Sequence, residues 1–81
     1  MNAPASIPSS GADALCLDEI EERLGLAAAF ADLGREHSKL NDLAGLEYSL
    51  RCALGNFRLA TAAFKDIAAR RAGRDNTAEA A

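Results

Sequence analysis

Few residues in this 81-residue chain have side chains that could do chemistry. They are one histidine, two cysteines, an acidic run and three clustered arginines. His37 could accept a proton or a phosphoryl group. It also falls where a helix would end, and there a charged imidazole is favoured by the dipole whatever else it does. Cys16 and Cys52 have no CxxC and no ligand-spaced histidine beside them, so a zinc or redox role would need groups from a second chain. Asp18, Glu19, Glu21 and Glu22 lack the glycine-shaped loop that a calcium site uses, and acids in the first turns of a helix are stabilised without any ligand. Arg70, Arg71 and Arg74 could meet an acidic partner or a nucleic acid, but no aromatic side chain is interleaved with them. The net charge of −3 also argues against binding phosphate backbones, which depends on neutralising them. No catalytic, metal or cofactor constellation emerges, no small-molecule substrate is evident, and a non-enzyme is expected.

The elements that carry these residues are helices. Val is absent, the chain is rich in Ala, Leu, Glu and Arg, and no segment alternates as a strand does. Residues 1–12, with Pro4, Pro8, Ser and Gly, predict a disordered tail. A first helix is expected to begin between Asp13 and Asp18, the latter having capping-box spacing to Glu21. It carries two apolar stripes. One runs Leu17, Ile20, Leu24, Ala27 or Ala28, Ala31; the other runs Leu26, Phe30, Leu33, His37, Leu40. Gly34 interrupts the pattern and marks a candidate close approach.

A break is predicted near Lys39 to Asp42. Asn41 suits the left-handed end of one helix and Asp42 the N-cap of the next. The second helix then runs from Leu43 to about Arg71. Its seam is Leu43, Leu46, Leu50, Ala53, Phe57, Ala60, Phe64, Ile67, in alternating steps of three and four. The seam keeps its phase through Gly55, which favours one helix over the alternative of three short helices broken there. Residues 73–81 show no apolar stripe and predict a second disordered tail.

The fold expected is therefore all-α, an antiparallel two-helix hairpin over residues 13–72. With the turn at position 41, residue i faces roughly 82 − i. That separates the two cysteines by several turns and leaves both thiols free. It also sets the acidic start of the first helix, inside a half of net charge −5, beside the basic end of the second, inside a half of net charge +2.

A hairpin this small rarely supplies more than about 3–5 kcal/mol from its own core. A partner is therefore expected, either a second copy forming a four-helix bundle or a different protein. The function expected is that of a small interaction protein: an adaptor, a co-chaperone, or an assembly or regulatory subunit. The residues expected to make its helix–helix contacts are Leu26, Phe30, Leu33, Leu43, Leu46, Leu50, Phe57 and Phe64. The alternative is a histidine phosphotransfer-type signalling domain with His37 as phosphoacceptor; Lys39 follows it, but the run of small residues is missing. No apolar run is long enough to span a membrane, and the N-terminus lacks the basic start and apolar centre of a secretory signal, so a cytoplasmic location is expected.

Overall fold

A computed structural model describes the backbone of residues 7–80 and the side chains of residues 11–74. It consists of two helices, α1 (Ile7–Lys39) and α2 (Leu43–Ala80), packed antiparallel as a hairpin. No strand occurs among the described residues.

The turn is built as the sequence predicts. Asn41 takes φ = 56°, the left-handed conformation that asparagine tolerates better than most residues. The Asp42 N–H donates to the His37 carbonyl at 2.9 Å and the Asn41 N–H to the Ser38 carbonyl at 3.1 Å, the paired bonds of a Schellman ending. Asp42 then caps α2, its Oδ1 accepting from the Gly45 N–H at 3.0 Å. That N–H is the main reason the Asp42 carboxyl lies below its ordinary value, with His37 adding to it.

Both helices are longer than expected. α1 begins at Ile7, inside the expected tail, because Pro8 falls in the first turn, where its missing N–H has no helical partner to lose. Asp18 and Glu21 therefore lie inside the helix rather than at its cap. α2 passes through both Gly55 and Gly73 to Ala80, so the three-helix alternative does not hold and the helix crosses the expected tail at 73–81. No glycine takes a positive φ among the described residues, so neither glycine ends the helix. The part of the expected N-terminal tail before Ile7, together with Ala81, lies outside the described residues.

The helices meet through small and polar residues. On α1 the covered positions include Asp13, Cys16, Ile20, Arg23, Ala27, Phe30, Gly34 and His37, in steps of three and four, with Ala12 and Glu19 half-covered at their edge. On α2 the fully covered residues are Ser49, Ala53, Ala60, Ala63 and Ile67. Gly34 permits a close approach: a Cβ placed there would lie 3.4 Å from the Ser49 Cβ. Ser49, only 1% exposed, leaves its hydroxyl buried without a hydrogen-bond partner. The molecule measures 60 × 24 × 12 Å, so it is a plate one helix thick.

Candidate interaction surface

Three polar contacts set the register of this plate. At the open end the Arg70 Nε donates to Asp13 Oδ1 at 2.8 Å, while Arg71 and Arg74 stand 3.7 and 3.6 Å from Oδ2. The Arg70 hydrogen bond, and then the fields of the three arginines, hold the buried Asp13 carboxyl below its ordinary value against the opposing effect of desolvation. Arg70 also donates to Cys16 Sγ at 3.1 Å, and its own pKa is raised by that bond first and by Asp13 second.

Midway along, Arg23 donates to Glu19 Oε2 at 2.7 Å and to Asn56 Oδ1 at 3.3 Å. Asn56 in turn bonds back to the Cys52 carbonyl. At the closed end His37 Nδ1 lies 3.0 Å from Asp42 Oδ2. The acidic start and basic end thus meet within one chain through Asp13, onto which the arginine trio is turned. Both cysteines are free thiols.

His37 closes the turn. Its side chain is 25% exposed and its Nδ1 already faces a carboxylate. Gly45 is part of this packing, since a Cβ there would overlap the His37 imidazole and the Asp42 carboxylate.

The expected contact residues divide. Phe30 and Leu46 are half-buried in the hairpin, and Phe30 meets the Tyr48 ring edge-on at 6.3 Å between centroids. Leu26, Leu33, Leu43, Leu50, Phe57 and Phe64 are exposed. The eight-residue seam of α2 splits lengthwise: Leu46, Ala53, Ala60 and Ile67 turn toward α1, while Leu43, Leu50, Phe57 and Phe64 stand 68%, 61%, 50% and 60% exposed. Two residues absent from the expected set, Leu17 and Leu24, carry an equivalent exposed stripe on α1. Their signal is the seven-residue spacing that continues to Ala31 and Ser38.

The two stripes share one face. A groove of about 390 Å³ between the helices is lined by Ala31, Gly34 and Ser38 from α1 and by Leu46, Leu50 and Phe57 from α2. The opposite face is apolar mainly along α1, through Leu26, Leu33 and Leu40; the corresponding α2 positions are Gly45, Cys52, Leu59 and Asp66.

Among the described residues no helix is long and apolar enough to cross a membrane, and no cluster of three or more His, Cys, Asp or Glu could hold a metal ion. Comparison of the chain with protein-family models, with curated proteins and with solved structures returns no match.

Proposed function

We propose that this chain is a small, non-enzymatic helical interaction protein, of the adaptor, co-chaperone or assembly-subunit kind, acting through its apolar helix faces on a partner chain. The observation that carries the proposal is how the side chains are distributed. Among the described residues the buried apolar side chains are Ala27, Ala53, Ala60, Ala63 and Ile67, whereas thirteen large apolar side chains are exposed. Stable domains bury apolar faces between at least two layers, and a plate one helix thick has only one. Exposed patches of this kind on a small protein mark association surfaces.

The test is helicity and molar mass followed together over a wide dilution series. Helicity should fall as the complex dissociates, and Leu50→Asp or Phe57→Asp should abolish association, while His37→Ala leaves it in place. Burying the exposed half of Phe57 accounts for about 1 kcal/mol per copy, and placing a carboxylate there adds a desolvation cost. A fully helical monomer that unfolds cooperatively at every concentration would refute the proposal.

A further inference from the structure

The exposed stripes also carry information about which partner fits them and in which direction, an inference that rests on the function proposed above. Gly34 meets Ser49, a pair whose numbers sum to 83, and Arg23 meets Asn56, a pair that sums to 79; between them residue i lies opposite about 81 − i. The face therefore has four rungs: Ser38 with Leu43, Ala31 with Leu50, Leu24 with Phe57, and Leu17 with Phe64. The two rungs nearest the turn hold one small residue and one leucine each. The two farther rungs hold one leucine and one phenylalanine each. Half of the face is hollow, containing the groove at Ala31, Gly34 and Ser38, and half is raised.

We infer that the occupant of this face is a second copy of the chain, laid antiparallel with its turn at the opposite end, so that the raised half of each copy fills the hollow half of the other. A two-fold axis across the middle of the face brings the Ala31–Leu50 rung against the partner's Leu24–Phe57 rung. It brings the Ser38–Leu43 rung against the partner's Leu17–Phe64 rung. Every layer of the resulting four-helix bundle then contains one phenylalanine, two leucines and one small residue. Protein interiors are packed uniformly and densely, and such even layers satisfy that condition. The parallel alternative, with both turns at one end, stacks two phenylalanines and two leucines in two layers and leaves the other two layers hollow.

The edge of the face agrees independently. Ala28 and Leu54 lie at the level of the axis, so in the antiparallel dimer each meets its own copy, and both are apolar. Glu21 and Arg35 lie seven residues to either side of Ala28, both exposed, so the same axis sets the Glu21 of each copy beside the Arg35 of the other. An interface in which one patch is complementary to itself is what two-fold association requires.

The experiment uses the full chain with Cys16→Ser, Cys52→Ser and Lys39→Cys, the last carrying a spin label beside the turn, with helicity checked against the parent chain. Sedimentation gives the mass, and dipolar spectroscopy gives the distance between labels. The inference expects a dimer of twice 8.5 kDa. It also expects labels about 35 Å apart, from twice the axial rise between the axis and residue 39. A dimer whose labels lie within about 20 Å, the diagonal of a bundle with both turns together, overturns the antiparallel pairing and leaves the proposed function standing. A poorly helical monomer overturns self-pairing alone, and a fully helical, cooperatively folded monomer overturns both. A second readout needs no label. Arg35→Glu should weaken the dimer roughly 2- to 30-fold, and Glu21→Arg added to it should restore the affinity. Equal affinity in all three chains would count against the assigned register.

Discussion

Replacing Gly55 with alanine distinguishes a continuous α2 from a broken one by the sign of its effect. Gly55 lies inside the helix without a positive φ, and a Cβ built on it meets nothing within 4 Å. The substitution therefore introduces no clash and fills no hole. What remains is the backbone term: glycine in a helix interior is about 0.8–1.0 kcal/mol worse than alanine. Gly55→Ala should raise stability by about that amount, which for a domain of this size raises the melting temperature by about 4–8 °C per kcal/mol. Gly25 is the control, since it too is helical and open and should gain the same. Thermal melts by circular dichroism at one fixed protein concentration measure both, the concentration being held because association shifts the midpoint. If Gly55 ended one helix in the left-handed conformation, alanine would instead lower the midpoint, because its Cβ is strained there. A fall in midpoint for Gly55→Ala beside a rise for Gly25→Ala would refute the continuous helix.

Gly45→Ala should fall short of Gly55→Ala in the same melts, because the His37 ring must leave its place, an adjustment that costs about 0.5–1.5 kcal/mol and offsets the helix gain. Equal gains at the two positions would show that the ring does not pack there. Asp13 should make stability depend on acid. Its carboxyl is depressed in the folded chain, so its contribution is complete above the unfolded value of about 3.9 and is lost as pH falls through the lower folded value. Asp13→Asn should therefore melt below the parent at pH 6, and the gap should close in strong acid; a gap constant down to pH 2 would contradict the Arg70 contact.

The helices, the turn and the register were legible in the sequence because each rests on local chemistry. Asn41 and Asp42 have few alternatives at a helix end, and a turn at position 41 leaves little freedom in which residues face each other. The stripe that faces inward was not legible. The spacing of Leu43, Leu50, Phe57 and Phe64 shows that these side chains need burial, but not which neighbour supplies it. The helices meet instead through alanine, glycine and serine together with Asp13, Arg23, Asn56 and Arg70, residues that a search for apolar periodicity passes over. Their own three-four spacing along α1 was present, but Asp13, Arg23, Gly34 and His37 interrupt its apolar members Ile20, Ala27 and Phe30. The helix ends were misjudged for a related reason: Asp18 with Glu21 has capping-box spacing, yet nothing before it prevents the helix from starting at Ile7.

A seam of small residues brings two helices close but does little to fix their relative slide, because one alanine fits against another almost equally well after a shift. The turn fixes the slide at one end only. Arg23 on Asn56 fixes it midway, and Arg70 on Asp13 fixes it at the far end. Charged groups partly withdrawn from water lose more when misaligned than methyl groups do, so they select one register even where they add little stability. That register decides whether Leu17 lies beside Phe64 and Leu24 beside Phe57. The polar residues between the helices therefore act on the outer surface as well: by fixing how the two helices align, they assemble two separate apolar stripes into one face that a partner can cover.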